Sequence, residues 1–564
     1  MEENEARITG VLLFSITISC LGNSFLYGYQ IGVVNQPSSL IQTFYNKTYY
    51  ERRGGNWDNM VRYDDYLQDD NVTDAEAIVK YNVSLGPKYK TAQGQIPVNV
   101  TKRLMPEMFG ADMSLLLKQW ELTILWATTV AAFVLFGMIG AFSSAKVADF
   151  FGRKRGMIVI TFLMFIAALL GGITLAVKSP ECLILSRVLV GLHSGLNITL
   201  CPLYLTEISP KKIRGAVGTC HQLAITIGIM VSQILGMVEI LGTATLWPYL
   251  FAFNAVPALL CLVCMPMCPE SPRFLLIKKG EEAEARKALV KFRGSDNVSD
   301  EMEEMRLEAS KSMGVKNYSL KELLTAPDLR MPVVIACVLQ ISQQWSGINA
   351  VMSYSAMLFE LVSIPHNQIP YIVVATGVIN VLCTIVAVPL MEKAGRRPLL
   401  LYPTIVMLFS FLIMTIFLNL QDKPDLVEYK TSFAIVCIIV MHTYIIGFAL
   451  GMGPIPFIVV GEIFRQEPRA AAMSISLAFN WVCNFILMLT FPFLQEGLEE
   501  FVYILFMVVL VIAIVFIFFF VPETKNKTFD EIANSISLGG RARGQGRAYG
   551  VNSDELAPMD TSKV

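Results

Sequence analysis

The chain has 564 residues, of which 54% are hydrophobic and only 16% are charged, whereas roughly 25% of the residues in an ordinary soluble protein are charged. This composition excludes an ordinary soluble domain and predicts a membrane protein. The formal net charge of −1 argues against a nucleic acid or another polyanion as a partner.

Apolar stretches of about 20 residues, the length that crosses a bilayer core of roughly 30 Å, recur along the chain. They predict an all-α membrane protein with twelve transmembrane helices. The first stretch follows the acidic segment "MEENEARITG" and no small-residue cleavage site comes after it, so we interpret it as a membrane helix rather than a signal peptide. The predicted spans are residues 11–30, 122–142, 157–177, 182–205, 216–238, 246–268, 331–356, 371–391, 399–420, 433–460, 472–494 and 501–521.

The loops between these spans differ in charge. Lys and Arg residues concentrate after spans two, four, eight and ten, which places these loops and both termini in the cytoplasm of a multi-pass plasma-membrane protein. The loop 37–120 then faces outward and carries four Asn-x-Ser/Thr sites, at Asn46, Asn71, Asn82 and Asn99. Because four such sites cluster in one predicted outer loop, we expect at least one of them to be glycosylated.

The second half of the chain repeats a charge pattern of the first. "DFFGRKR" (149–155) follows the second span and "EKAGRR" (392–397) the eighth, while "EISPKKIR" (207–214) follows the fourth span and "EIFRQEPR" (462–469) the tenth. Two six-helix halves that repeat each other are typical of transporters that rock about a central site. The predicted segments are 1–36 (cytoplasmic N-terminus and first span), 37–120 (glycosylated extracellular loop), 121–268 (rest of the N-terminal half), 269–330 (cytoplasmic helical linker), 331–521 (C-terminal half) and 522–564 (cytoplasmic tail).

The repeated charges have a mechanical interpretation. Carboxylates and guanidiniums at the cytoplasmic ends of neighbouring helices can pair, hold the inner mouth closed and separate when it opens. The alternative is topology alone, since basic residues belong on the cytoplasmic side in any case. Matching sets in two halves favour a gate.

The apolar seventh span contains "QISQQWSGINAV" (340–351), which is rich in amides. Gln340, Gln343 and Gln344 stand at i, i+3 and i+4 and therefore share one helix face. Unpaired amides in hydrocarbon cost several kcal/mol, so they must face protein, water or a ligand. The following "SGIN" is expected to loosen the helix near Gly347 and to let Asn349 turn inward.

Further polar groups lie in other spans. Gln222 has Ile225 and Ile229 on nearly the same face, Asn380 lies in span eight, and Asn480, Trp481 and Asn484 lie in span eleven. Neutral amides beside an aromatic face suit a small neutral sugar, because each hydroxyl both donates and accepts a hydrogen bond. An anion would call for a cation, and Arg187, near the outer part of span four, is the arginine that falls well inside a span. The alternative is that the amides only join helices.

The motifs resemble those of the facilitative hexose transporters, the sugar porter family of the major facilitator superfamily. The similarity runs from about residue 8 to 530. It is carried by "PLYLTEISPKKIRG" (202–215), "HQLAITIGIMVSQILG" (221–236), "PESPRFLL" (269–276), "QQWSGINAV" (343–351), "EKAGRR" (392–397), "GPIP" (453–456) and "PETKNKTF" (522–529).

This resemblance implies a major facilitator fold and facilitative transport of a hexose such as glucose or fructose across the plasma membrane by alternating access. The implied sugar contacts are Gln222, Ile225, Ile229, Gln343, Gln344, Asn349, Asn380, Trp481 and Asn484. The implied cytoplasmic gate consists of Arg153, Lys154, Glu207 and Arg214 in the first half and Glu392, Arg396, Arg397, Glu462 and Arg469 in the second.

The resemblance leaves the preferred substrate open. Glucose-type members have Trp where this chain has Phe457 and Glu where it has Ala449, and fructose-type members have His where it has Phe448. "QISQQ" is similar to the glucose type, whereas "SFLYGYQIGVVNQP" (24–37) is similar to the fructose and urate branch. Glucose, fructose, another polyol and urate therefore all remain candidates.

Several other functions are alternatives to uniport. Gln30 stands where proton-coupled relatives carry Asp, and a carboxamide cannot titrate, so a proton-coupled sugar or polyol symporter is the less favoured alternative. A non-transporting sugar sensor or receptor is another, although the tail from about residue 532 is short. The sequence contains no nucleophile–base set, metal cluster or phosphate loop, so we expect neither an enzyme nor a bound cofactor or metal.

The C-terminus "TSKV" resembles a ligand of PDZ domains. Ser562 stands two positions before the terminal apolar Val564, and PDZ domains add such a peptide to a sheet edge and capture its carboxylate. Three-residue patterns also arise by chance, which is the alternative.

Overall fold

A computed structural model describes residues 8–61, 111–210, 213–314, 320–360, 365, 367–421, 423–525, 527 and 529–537. These residues form helices and connecting turns, without a strand among them, which confirms the predicted all-α class. The α-helices are α1 Gly10–Ser19, α2 Leu26–Gly32, α3 Ser38–Arg52, α4 Gln119–Phe151, α5 Arg153–Val177, α6 Pro180–Ile208, α7 Arg214–Leu235, α8 Trp247–Ala252, α9 Ala255–Cys264, α10 Glu282–Arg293, α11 Ser299–Gly314, α12 Leu320–Thr325, α13 Arg330–Trp345, α14 Ile348–Glu360, α15 Ile369–Ala394, α16 Arg396–Gln421, α17 Lys430–Leu450, α18 Ile455–Ile463, α19 Gln466–Leu498, α20 Val502–Phe520 and α21 Phe529–Ser537.

Eleven helical stretches of the described residues are long and apolar enough to cross a membrane. The remaining predicted span, 331–356, is divided into α13 and α14 by a break at Ser346 and Gly347. Gly347 has φ +97°, a value that a residue without Cβ adopts at no steric cost. This broken helix, the seventh span in chain order, completes the predicted twelve. The expected loosening of the helix after the glutamines is found at Gly347.

Two other spans are also interrupted. A π-helical segment, Cys20–Phe25, connects α1 to α2 in the first span. In the tenth span α17 ends at Leu450 and α18 begins at Ile455, as the Gly- and Pro-rich "GMGPIP" (451–456) predicts. Broken helices at membrane depth leave backbone carbonyls that need partners inside the protein.

The two halves meet along α4 with α19 and along α7 with α15. One apolar core cluster includes buried residues of both halves, and a second lies within the first half. Near the middle of the interface, the ring of Trp481 packs so closely on Gly137 that a Cβ there would lie 2.6 Å from it. The absence of a side chain at Gly137 thus allows α4 and α19 to approach each other.

The bundle has two ends. The loop end contains α3 and the start of α4, and the linker end contains α10, α11 and α12. At the linker end, Thr9 Oγ1 donates to the carbonyl oxygen of Phe292 at 2.8 Å, and Arg293 Nη1 donates to that of Ile208, also at 2.8 Å. These bonds attach α10 to the first half.

Candidate substrate site and gate

The amides that share a face of α13 form a buried network. Gln343 Nε2 donates to the carbonyl oxygens of Met452 and Gly453, each at 2.7 Å, in the break between α17 and α18. Asn480 Nδ2 donates to Oε1 of Gln340 at 2.7 Å and to Oε1 of Gln343 at 2.8 Å. The network therefore joins α13 to α19 and satisfies two carbonyls of a broken helix.

Gln344 and Asn349 extend this network to the boundary between the halves. Gln344 Nε2 donates to Gln343 Oε1 at 3.2 Å, and Gln344 Oε1 accepts from Asn349 Nδ2. Asn349 lies just after the break at Gly347 and lines a cavity between the halves. Its inward turn agrees with the expectation from the sequence.

This cavity between the halves has a volume of ≈ 20 Å³, which holds about one water molecule or one hydroxyl group. The buried Oδ1 of Asn484 has no hydrogen-bond partner among the described residues. The cavity is lined by Tyr27, Ile31, Val130, Phe133, Val134, Arg187, Asn349, Ser353, Asn484 and Met488.

The remaining predicted sugar contacts do not line this cavity. Ile225 and Ile229 are buried in the core cluster of both halves, and Trp481, only 3% exposed, packs on α4. The indole Nε1 of Trp481 is buried without a partner in the described part of the chain. Asn380 is buried in α15, whereas Gln222 on α7 is exposed. The structure thus brings Gln343, Gln344, Asn349 and Asn484 together, whereas Gln222 and Asn380 do not line the cavity.

A second polar network, which the sequence did not predict, lies in the first half. Arg187 Nη1 donates to the backbone oxygen of Gln30 at 3.1 Å and to its Oε1 at 2.8 Å. Gln30 Nε2 in turn donates to Asn254 Oδ1 at 2.6 Å. The guanidinium carbon of Arg187 lies 4.6 Å from the centre of the Phe133 ring, a cation–π arrangement. Its position inside a span was the available signal, but the sequence did not place it at the cavity.

At the linker end of the first half, Arg153 and Glu207 form a two-point ion pair. Arg153 Nη2 lies 2.8 Å from Glu207 Oε1, and its Nε donates to Oε2 at 2.9 Å. The hydroxyl of Ser271 donates to Glu207 Oε2, and Glu270 accepts from the backbone N–H groups of Arg153 and Lys154 at 3.1 and 2.9 Å. The carboxylate of Glu270 therefore caps the start of α5. A cavity of ≈ 270 Å³ beside the pair is lined by Arg153, Leu203, Thr206, Glu207, Arg273, Ile277 and Lys278.

The second half repeats this arrangement. Arg396 Nη2 lies 2.8 Å from Glu462 Oε1, and the hydroxyl of Thr524 donates to Glu462 Oε2. Glu523 accepts from the backbone N–H groups of Arg396 and Arg397 at 2.9 and 3.1 Å. Ser271 and Thr524 follow the same Pro-Glu dipeptide after the last span of each half. That repeat was visible in the sequence, yet the gate prediction did not include these residues.

Three other predicted gate residues donate hydrogen bonds to backbone carbonyl oxygens. Lys154 Nζ donates to the carbonyl oxygen of Pro266 at 2.7 Å, and Arg397 Nη2 to that of Phe518 at 2.5 Å. Arg469 donates from Nε and Nη2 to the carbonyl oxygen of Phe464 at 3.2 and 3.1 Å. The side chains of Arg214 and Glu392 lie outside the described residues. The two ion pairs that the structure brings together each stay within one half.

Hydrogen bonds between the halves gather at the loop end. Asn35, completely buried, donates from Nδ2 to Ser355 Oγ at 2.5 Å and to the Met352 carbonyl oxygen at 3.1 Å, and its Oδ1 accepts from the Ala356 N–H at 3.0 Å. Asn35 thus binds the backbone of α14, where Tyr354 departs from helical geometry with φ −128° and ψ 18°. This amide joins the first span to the broken seventh span.

Three further bonds cross between the halves at this end, one of them from Gln36 Nε2 to the carbonyl oxygen of Pro370 at 3.1 Å. The hydroxyl of Tyr371 donates to Glu239 Oε1 at 2.7 Å, and Thr123 Oγ1 donates to Glu496 Oε2 at 3.2 Å. The bond from Tyr371 lowers the pKa of Glu239, which lies outside the spans, because it stabilises the ionised carboxylate. These contacts connect α4 to α19 and the end of α7 to α15.

The predicted glycosylation sites are only partly described. Asn46 lies in α3 with a buried Oδ1 that has no partner among the described residues, and the side chain of Thr48 in its Asn-x-Thr motif is 3% exposed. Asn71, Asn82 and Asn99 lie outside the described residues, as do Ser562 and Val564 of the predicted PDZ ligand. Glycosylation and the PDZ contact remain predictions.

Comparison with known proteins identifies the family. The family model described as "Sugar (and other) transporter" matches residues 15–535. Facilitated glucose transporter member 1 (solute carrier family 2) of Gallus gallus is 36% identical over 96% of this chain and 96% of its own length. Member 4 of Mus musculus is 38% identical over 94% and 92% of the two chains, and member 3 of Oryctolagus cuniculus 35% identical over 99% of each.

Solved structures show the same fold. The partially occluded inward open conformation of the xylose transporter XylE from E. coli superimposes with a TM-score of 0.65 at 23% identity, over 92% of this chain and 100% of that chain. The inward open conformation of XylE gives a TM-score of 0.66 at 22% identity, over 93% and 99%. The chain has the major facilitator fold and belongs to the sugar transporter family.

Proposed function

We propose that this chain is a facilitative hexose transporter, a uniporter that moves a sugar such as glucose or fructose across the plasma membrane by alternating access. The observation that carries the proposal is the hydrogen-bonded amide pair of Gln344 and Asn349 beside the unpartnered amide oxygen of Asn484, where the two halves meet. An amide offers a donor and an acceptor without charge, which matches the hydroxyls of a neutral sugar. The names of the curated relatives support the hexose class.

Uniport is supported by the groups around Gln30. Its carboxamide binds Arg187 and Asn254, and a carboxamide neither takes up nor releases a proton near neutral pH. A symporter needs a titratable group whose protonation changes with the direction that the site faces. Transport down the sugar gradient alone fits this arrangement better.

Alternating access is supported by the different contacts at the two ends. The halves bind each other at the loop end, whereas both ion pairs at the linker end stay within a half. With the linker end in the cytoplasm, as the positions of Lys and Arg predict, the bonds between the halves close the outer end, as expected of an inward-facing state. In the outward-facing state, Arg153, Lys154, Glu207 and Arg214 would meet Glu392, Arg396, Arg397, Glu462 and Arg469 of the other half.

The decisive test is uptake by liposomes that contain the purified full-length protein. We expect saturable entry of labelled glucose or fructose, counterflow when the vesicles are preloaded, and no saturable entry of L-glucose. A sensor would bind the sugar without moving it, so saturable binding without uptake would contradict the proposal. A set of labelled hexoses, polyols and urate in the same assay identifies the substrate.

A further inference from the structure

The buried guanidinium of Arg187 is not explained by the predicted sugar contacts. Its side chain is 1% exposed, and its Nη1 binds both oxygens of Gln30. Its Nε is buried without a hydrogen-bond partner among the described residues. An ionised group inside a span is costly to keep, and such a group commonly marks a substrate or ion path.

An unpartnered acceptor lies on the opposite half. Oδ1 of Asn484 is buried and has no hydrogen-bond partner within the described chain. Arg187 and Asn484 line the same cavity of ≈ 20 Å³. The first half thus lines this cavity with a residue whose charged N–H donor lacks a partner, and the second half with a residue whose amide oxygen lacks one.

The size of the cavity and the chemistry of these two atoms select one kind of group. The volume suffices for about one hydroxyl, and a hydroxyl accepts one hydrogen bond while it donates another. We infer that Arg187 is a substrate-binding residue: one hydroxyl of the sugar accepts from Arg187 Nε and donates to Asn484 Oδ1. This inference rests on the proposed hexose transport and adds a contact that joins both halves through the ligand.

The test compares the binding of a transported hexose and of its monodeoxy derivatives to the purified full-length protein. Arg187→Lys keeps the charge and removes the Nε–H, and Asn484→Ala removes the acceptor. Ser186→Ala and Thr490→Ala are matched controls, because these hydroxyls donate to Ala167 and Ile486 within the same half. In the unmodified protein, we expect one monodeoxy hexose to bind about tenfold more weakly than the parent sugar.

The variants then show whether this hydroxyl is held by the two atoms. Each variant should bind the parent sugar about tenfold more weakly than the unmodified protein does. It should bind that one monodeoxy hexose as tightly as the unmodified protein does. Equal weakening of the parent and of every monodeoxy hexose would overturn the inference. If Arg187→Lys does not fold, Arg187→Gln, which also lacks the Nε–H, takes its place in the same series. Failure of the proposed function would differ, because the unmodified protein would then show no saturable hexose uptake.

Discussion

Gln343 and Gln344 are neighbours in the chain, but their amides have different surroundings. Gln343 donates to the carbonyl oxygens of Met452 and Gly453 and accepts from Asn480, so its hydrogen-bonding groups are used inside the second half. Gln344 binds Gln343 and Asn349 next to the cavity between the halves. The first glutamine therefore supports the broken tenth span, whereas the second is available to a ligand.

This difference gives a paired prediction. Gln344→Leu should lower sugar affinity about tenfold, because the loss of one hydrogen bond to a neutral ligand costs roughly 1–3 kcal/mol of binding free energy. The melting temperature should stay nearly unchanged. Gln343→Leu should lower both affinity and melting temperature, since it leaves two buried carbonyls unpaired. Equilibrium sugar binding and thermal unfolding of the purified variants measure these effects.

The control is Thr490→Ala, which removes a hydroxyl that donates to its own helix. Wild-type affinity in Gln344→Leu, at an equal amount of folded protein, would contradict the placement of this amide in the site.

The limits of the sequence are visible at the same residues. The i, i+3, i+4 spacing was enough to place three glutamines on one face of α13, and Gly347 was enough to predict the break. The partner of Gln343 in the tenth span and the partner of Arg187 in the first could not be predicted. Those partners are separated by 109 and 157 positions, and helical periodicity carries no information on which distant helix lies opposite.

At the scale of elements, broken helices and their caps decide where the molecule can move. The seventh span is interrupted at Gly347 and departs from helical geometry at Tyr354, and Asn35 binds the free backbone groups near the second position. A helix held by a side chain of the opposite half can release that half when the bonds break.

Asn35→Ala should shift the protein toward the outward-facing state. The change removes three bonds between the halves, and each is worth about 0.5–1.5 kcal/mol. A shift of roughly tenfold or more in the population ratio is therefore expected. Spin labels at the loop end, read by distance measurements, should report a larger fraction of wide separations. An unchanged distance distribution would contradict the role of Asn35 in closing this end.

The ion pairs at the linker end predict a different kind of defect. Glu462→Gln removes the charge that binds Arg396 and also Thr524, so the maximal transport rate should fall while the sugar affinity stays within about twofold. The charge-reversed pair Arg396→Glu with Glu462→Arg should recover part of the rate. Initial uptake rates at increasing sugar concentration separate the two parameters. A lower affinity at an unchanged rate would argue against a gate.

The ion pairs at the linker end also show what a sequence pattern can and cannot predict. Duplicated motifs predicted that Arg153 and Glu207 correspond to Arg396 and Glu462, and each pair is found. The motifs did not show that Glu270 and Glu523 cap α5 and α16, because a capping role depends on the path of the chain after the sixth and twelfth spans. It is a property of tertiary structure rather than of the local pattern.

At the scale of the whole molecule, the chain is two similar bundles with the proposed ligand site between them. Transport should not require a proton gradient, because Gln30 cannot titrate where it binds Arg187 and Asn254. In liposomes with an imposed pH gradient, the sugar should equilibrate and not accumulate, and its entry should not change the external pH. Accumulation above the external concentration would refute uniport.

The contact between Trp481 and Gly137 has a consequence for the rates of the transport cycle. It lies between the two ends of the interface, so in an alternating-access cycle we expect the halves to rotate about this contact. The same tryptophan is a predicted sugar contact. A sugar bound at this ring should then alter the contact about which the halves rotate, so we expect the loaded and the empty protein to reorient at different rates. The rate of sugar exchange, in which the protein is loaded in both directions, should therefore differ from the rate of net sugar transport, in which it returns empty.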